Sequence, residues 1–127
     1  SIMQPLLMKM DDAGYHKALV TDESVFAFCG IGNPDFFMQT VKDVGLNIVG
    51  KRIFKDHQKY NYKVLHNLLV QIESSNCRAV VTTEKDMVKI PESFMKKNIF
   101  YVIKIDVVFE NDSDVLDLIK PIFPHSP

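Results

Sequence analysis

Three short polar stretches hold the residues of this 127-residue chain whose types and spacing can do chemistry. Asp56 and His57 stand side by side in "KDHQKY". A histidine near its working pKa, oriented by a carboxylate, can move a proton during a reaction. Adjacent residues seldom point the same way, so Asp56 can instead cap or brace the loop and leave the work to His57. The pair also fits a plain exposed loop. "TTEKD", Thr82 to Asp86, sets a lysine among acids. Thr83 followed three residues on by Asp86 is close to a capping box, and Glu84 in a first turn complements the helix dipole. Capping leaves Lys85 unexplained; its cation can hold a phosphate or a partner loop. "GIGNP", with Gly30, Gly32 and Asn33, reads as a tight turn and N-cap, or as helix N-terminal amides facing an anion. It lacks the third glycine of a dinucleotide fingerprint and is not GxxxxGK[ST], so it supplies no phosphate-loop lysine.

Hydrophobic spacing predicts the elements that must position these stretches. Val25–Cys29 is a continuous apolar run ended by Gly30, which reads as a buried strand. Asn33 is then an N-cap, Pro34 suits the first helical position and Asp35 the first turn. Phe37, Val41 and Val44 repeat at helical spacing before Gly45 supplies a stop. Leu46–Phe54 is rich in β-branched residues and predicts a strand bent near Gly50. From Asn61 a second helix is expected, with Tyr62, Leu65, Leu69 and Ile72 as its apolar stripe and Asn76 as a left-handed stop. Arg78–Val81 reads as a short buried strand, and Thr82–Lys89 as the start of a short helix terminated by Pro91. Ile99–Ile105 alternates as a fourth strand, and Val115–Lys120 makes a last helical turn or two. Phe36, Phe37, Leu65, Leu69 and Phe100 are expected in the core.

Strand and helix repeated four times call for an α/β fold: three layers, a mostly parallel sheet with helices on both faces, Rossmann-like. Pro5–Met10 and Tyr15–Val20 flank the turn-like "DDAG" and predict an N-terminal hairpin. The expected division is a hairpin or linker over residues 1–22 and an α/β domain over 23–127. In an open sheet of this kind ligands bind beyond the carboxyl ends of the strands. The three polar stretches follow three successive strands, so all three belong on one rim.

The bulk properties narrow the function classes. The chain is 46% hydrophobic and suits one domain with a core of its own. Its net charge of -1 gives no global basic field to draw nucleic acid or an acidic membrane. Cys29 and Cys77 form neither CxxC nor zinc spacing, and read as buried reduced thiols of a cytoplasmic protein. His16, His66 and His125 show no metal-ligand spacing. No apolar run approaches the roughly 20 residues of a membrane span. "SIMQPLLMKMDD" lacks the segments of a signal peptide, and a first residue Ser1 suggests a processed chain or an excised piece.

"VFAFCGIGNPDFF", "IFKDHQKY" and "AVVTTEKDMVKI", in this order and spacing, resemble the tetraacyldisaccharide 4'-kinase family, the lipid A 4'-kinases of Gram-negative bacteria. That family carries V-x-A-F-x-G-I-G-N-P-x-x-F-F, then F-x-D-H, then T-T-E-K-D-x-V-K. The likeness runs from about Val25 to Ile90. It implies transfer of the ATP γ-phosphate to the 4'-hydroxyl of tetraacyldisaccharide 1-phosphate, with Mg²⁺. It also implies two α/β domains: an amino-terminal one with the phosphate loop and metal ligands, and a carboxy-terminal one that closes over the nucleotide cleft.

This chain resembles the second domain, which would explain the missing GxxxxGK[ST]. The resemblance makes His57 the catalytic histidine, paired with an aspartate of the other domain that activates the sugar hydroxyl. Asp56 is carried as its support. Gly30, Gly32, Asn33, Thr82, Thr83, Glu84, Lys85 and Asp86 are carried as support for the nucleotide end. Where the family often reads F-P-D-H-H, this chain has Lys55 for the proline and Gln58 for the second histidine, so no role for that second histidine carries over. The implied partners are the phosphate-loop domain and the lipid disaccharide, with no nucleic acid. The implied location is cytoplasmic, the whole enzyme being peripheral on the inner membrane and touching the membrane surface only as a whole. Alone, the chain is expected to lack phosphoryl transfer, which needs phosphate and metal positioning. Two rival readings remain: a stand-alone nucleotide- or anion-binding module, and a partner-docking domain whose rim loops are only caps and turns.

Overall fold

A computed structural model describes residues 2–19 and 22–108. The expected turn at Val115–Lys120, the Pro-rich tail with His125, and Val20 lie outside the described residues. In chain order the elements are β1 (Ile2–Asp11), β2 (Gly14–Lys17), β3 (Ser24–Cys29), α1 (Pro34–Asp43), β4 (Asn47–Ile53), α2 (Tyr62–Ser74), β5 (Ala79–Thr83), α3 (Glu84–Met87), α4 (Glu92–Met95) and β6 (Ile99–Val108). The strands form one sheet in the order β2-β1-β6-β5-β3-β4. β4, β3, β5 and β6 run parallel, as the alternating pattern predicted. The expected hairpin forms and joins the same sheet, β1 pairing antiparallel with β6 from Ile2↔Val108 to Met10↔Phe100.

Burial follows from position in the sheet. β5 is buried at every residue and β3 at all but Ser24, because both have neighbours on each side and helices on each face. β4 alternates exposed and half-buried residues, as an edge strand does. The side-chain period of two sends Val25, Ala27 and Cys29 to one face, where Phe37, Met38 and Val41 of α1 meet them. Phe26 and Phe28 go to the other face, against Leu68 and Ile72 of α2 and Phe94 and Met95 of α4. Each fully buried Leu or Ile of this kind stabilises the fold by about 1.5–3 kcal/mol.

The bend expected near Gly50 is a register shift, Val25 pairing Ile48 but Phe26 pairing Gly50. A Cβ at Gly50 would lie 2.8 Å from the Phe26 ring, so glycine admits the phenyl there. The cap signals act as read: Asn33 accepts from the Phe36 amide at 3.1 Å, Pro34 opens α1, Gly45 has φ +102° and Asn76 φ +58°.

Four expectations need correction. Tyr62 is 84% exposed, and Leu68 takes its place on the inner stripe of α2. Tyr62 opens the helix beside its cap Asn61, and the buried line instead centres on Leu68 and Ile72, flanked by Val64, Leu65 and Leu69. Phe36 is half exposed, because its neighbour Phe37 takes the inward direction on α1. Thr82 and Thr83 end β5 rather than begin a helix, and α3 starts at Glu84. Beyond Pro91 the chain makes a further helical turn, α4, which had no strong periodic signal in four residues.

Candidate functional site

The carboxyl ends of β3, β4 and β5 bring the three polar stretches together. The centre of their contact is the carboxylate of Asp86, which is fully buried. Its oxygens accept from the Gly30 amide at 3.1 and 3.2 Å, the Tyr60 hydroxyl at 2.9 Å and the Thr83 hydroxyl at 2.6 Å. The Asp86 amide returns a bond to Thr83 Oγ1 at 3.0 Å. The capping arrangement is thus present, and it does a second job. Thr83 on one side, Gly30 from the loop after β3, and Tyr60 from the loop after β4 all converge on one side chain. Thr82 contributes from within the sheet, donating its buried hydroxyl to Phe28 O at 2.8 Å. Burial first, and then the charge of Asp86, raises the Tyr60 hydroxyl pKa above its ordinary value. The same two causes push the Cys29 thiol up to about 11.

His57 sits in the loop that this carboxylate anchors. Its side chain is 77% exposed. Its backbone has φ +63°, a left-handed conformation uncommon for a residue with a Cβ. The His57 amide donates to Asp56 Oδ1 at 3.0 Å and points toward Gly30 O at 3.3 Å. His57 Nε2 stands 3.6 Å from Asp56 Oδ2, too far for a hydrogen bond. Asp56 therefore engages the loop backbone more closely than the imidazole, and a Cβ on Gly32 would touch its carboxylate at 3.4 Å. The imidazole projects toward solvent at the rim, with the Asp56 carboxylate beside it. Gln58, at the family's second-histidine position, donates its side-chain amide to Lys59 O at 2.7 Å and lays its Cβ over Gly30.

Beside these loops a cleft of about 270 Å³ lies between the start of α1, the end of β5 and β6. Ile31, Phe36, Phe37, Ile103 and Ile105 make its apolar wall, and Thr83, Glu84 and Lys85 border it. His57 and Asp56 do not line it. Glu84 accepts from the Tyr15 hydroxyl at 3.1 Å, which ties hairpin to rim, whereas the Lys85 side chain is exposed. Asn33 is spent on capping α1. Among the described residues no three His, Cys, Asp or Glu side chains converge to hold a metal ion. They do not by themselves fit a magnesium site.

Tyr60 was not singled out from sequence, although it reaches the same carboxylate as Gly30 and Thr83. The apolar flanks of the loop could have drawn attention to it: Phe54 and Tyr60 bracket the polar residues and pack edge-on at 5.5 Å. The contact with Asp86 itself has no local signal, since the two residues are 26 apart in the chain.

Comparison with known proteins bears on what this rim is for. A model of the family described as tetraacyldisaccharide-1-P 4'-kinase matches residues 2–123. The tetraacyldisaccharide 4'-kinase of Rickettsia bellii (strain OSU 85-389) is 47% identical over 72 residues, covering 57% of this chain and 22% of the relative. That of Desulfotalea psychrophila (strain LSv54 / DSM 12343) is 34% identical over 96 residues, 76% of this chain and 27% of the relative. That of Rickettsia canadensis (strain McKiel) is 48% identical over 67 residues, 53% of this chain and 21% of the relative. The matched stretches therefore cover only 21–27% of the length of these relatives. No solved structure matches it. With nearly the whole chain matched by one family model, and with the motifs of that family drawn together at one rim, the chain belongs to the tetraacyldisaccharide-1-P 4'-kinase family.

Proposed function

We propose that this chain is the carboxy-terminal domain of a lipid A 4'-kinase, and that it supplies His57 to phosphoryl transfer. The supporting observation is the rim itself. Three stretches that match the family pattern meet on buried Asp86, and His57, with its side chain 77% exposed, projects from the strained turn among them. In the reaction, the 4'-hydroxyl oxygen of tetraacyldisaccharide 1-phosphate forms a bond to the γ-phosphorus of ATP. The bond from that phosphorus to the β–γ bridging oxygen breaks, and ADP leaves. The hydroxyl proton passes to a base, an aspartate of the amino-terminal domain held by His57 across the cleft.

This chain orients that base and covers the nucleotide. Gly30, Gly32, Asn33 and the Thr82–Asp86 loop set the shape of the cover, and Lys85 is the cation facing outward from it. Mg²⁺, when bound, neutralises charge on the phosphates; its ligands belong to the phosphate-loop domain, as does the nucleotide phosphate cradle. The whole enzyme works in the cytoplasm on a lipid presented at the inner membrane. Among the described residues no helix is long and apolar enough to cross a membrane.

The test is an assay of the full-length protein with ATP and the lipid acceptor. His57→Ala should lower kcat about 10²–10⁴-fold, the usual worth of a positioned base such as the aspartate that His57 holds, with the fold intact. Near-normal turnover would remove His57 from the mechanism. Robust transfer by this chain alone would refute its assignment as one half of the enzyme. Tight ATP binding by the isolated chain would favour a self-sufficient nucleotide-binding module instead.

A further inference from the structure

We propose that Tyr60 and Asp86 are positioning residues for His57, forming a buried relay that fixes the backbone of the loop from which the imidazole projects. The inference rests on the reading of His57 given above. It starts from a surplus in the hydrogen bonding. A cap for the four-residue α3 needs only the exchange between Thr83 and Asp86. Asp86 Oδ1 also takes the Tyr60 hydroxyl at 2.9 Å, and the Gly30 amide reaches both oxygens, in a fully buried setting. Burying a carboxylate is costly unless its lone pairs are satisfied, and a solvent-facing cap avoids the problem altogether. The burial therefore points to something beyond capping.

That something lies one peptide further on. Gly30 donates its N–H to Asp86 and presents its C=O to the His57 amide, 3.3 Å away. Asp86 thereby holds the Cys29–Gly30 peptide, and the next peptide, Gly30–Ile31, turns its carbonyl to the His57 amide. Tyr60 closes the loop at its other end. Its ring is held edge-on by Phe54 at 5.5 Å and by Phe28 at 6.0 Å, and its hydroxyl ends on Asp86. Phe54 in turn donates its amide to Cys29 O at 2.8 Å. The seven residues from Phe54 to Tyr60 that follow the strand are pinned at both ends and once in the middle. His57 is the residue with φ +63° between the pins. A conformation of this kind persists only where its surroundings over-determine it, and the relay does so here together with Asp56, which accepts from the His57 amide at 3.0 Å. Neither Tyr60 nor Asp86 touches the imidazole, so both act through the backbone.

The experiment is a double-mutant cycle in the full-length kinase, with kcat and both KM values measured for wild type, Tyr60→Phe, His57→Ala and the double variant. Loss of orientation by about 1 Å can cost on the order of 10²-fold. Tyr60→Phe should lower kcat about tenfold or more and leave KM for ATP and for the lipid within about twofold. In the His57→Ala background, Tyr60→Phe should produce no further fall, because the group it orients is gone. Equal fold-losses in both backgrounds would overturn the relay, as would an unchanged kcat in Tyr60→Phe. If Tyr60→Phe does not fold, Asp86→Asn, which keeps the shape and one acceptor oxygen, carries the same cycle. The two readings fail separately. Normal turnover by His57→Ala ends the role of His57, whereas a crippled His57→Ala beside a normal Tyr60→Phe ends only the relay.

Discussion

A single methyl group added at Gly30 tests the packing of the rim most directly. A Cβ there would lie 2.8 Å from Gln58 Cβ, 3.2 Å from Lys55 O and 3.3 Å from Asp86 Oδ1. Carbon atoms in contact prefer about 3.5–4.0 Å, so Gln58 must retreat by about 1 Å. Its Cβ is rooted on the backbone, so the loop from Lys55 to Gln58 moves with it. Overpacking of this kind costs about 1–3 kcal/mol. A compensating effect must be subtracted. Gly→Ala stiffens the unfolded chain and stabilises by about 0.4–1 kcal/mol where the backbone tolerates alanine. Gly30 has no positive φ, so it gains that benefit, and the net loss comes to about 0–2.6 kcal/mol, centred near 1.3.

Gly32 is the internal control. It lies two residues on, also without a positive φ, and its added Cβ meets Asp56 Oδ2 at an ordinary 3.4 Å. Gly32→Ala should therefore be neutral or slightly stabilising. Urea denaturation of the two variants decides the matter: at a slope of about 1–3 kcal/mol per molar, Gly30→Ala should lower the midpoint by about 0.5–1 M. In the full-length kinase it should also lower kcat more than Gly32→Ala does, because it displaces the loop that carries His57. Equal midpoints for the two variants, or a larger loss at Gly32, would refute the argument that Gly30 is there for close approach.

Two further predictions concern titrating groups. His16 Nε2 lies 3.0 Å from both Asp11 oxygens across the hairpin, and that bond, as the main cause, holds His16 above 6.5 and Asp11 below 3.8. The histidine's contribution is complete below about pH 6.5 and fades as pH rises through its higher folded value; the aspartate's is present above about pH 4 and fades as pH falls through its lower one. The clasp is therefore tightest between those limits, and Asp11→Asn should bring the NMR titration midpoint of His16 down; an unmoved midpoint counts against the bond. Cys29, fully buried with its thiol pushed up to about 11, is about one-thousandth thiolate at pH 8. Native protein should resist iodoacetamide at Cys29 for hours by mass spectrometry and label fully in urea; rapid native labelling would contradict its burial.

Much of the fold was legible because its signals are local. Asn33, Pro34, Gly45 and Asn76 each satisfy or end a helix by contacts within a few residues, and each does so where the sequence suggests. The continuous apolar runs at β3 and β5 mark strands with both faces covered. The errors arose where two local readings compete. Tyr62 and Leu68 both fit a helical stripe with Leu65 and Ile72, and only the angle at which α2 meets the sheet chooses between them. Phe36 and Phe37 are adjacent on a helix, so one must face outward. Thr82 and Thr83 suit a strand end and a helix start alike, and the β5–β6 ladder, reaching Thr83↔Ile103, settles them as strand.

The rim was legible as a location and not as a mechanism, and Asp86 shows why. Read locally, it completes a cap with Thr83, and a cap is sufficient reason for an acid at that position. The capping bond nevertheless has a geometric consequence. Successive side chains on a helix are about 100° apart, so a turn that drives Asp86 inward must direct its neighbours elsewhere. Glu84 turns to Tyr15 of the hairpin, and Lys85 turns to solvent beside the apolar cleft. One inward carboxylate thus sorts the trio: brace, tie and free cation. It also fixes what can meet it from the other loops, because a buried carboxylate must find donors, and those loops supply the Gly30 amide and the Tyr60 hydroxyl. The separations are 56 and 26 residues, beyond any periodicity or cap rule. The same side chain that made the stretch look locally explained is what joins it to the other two.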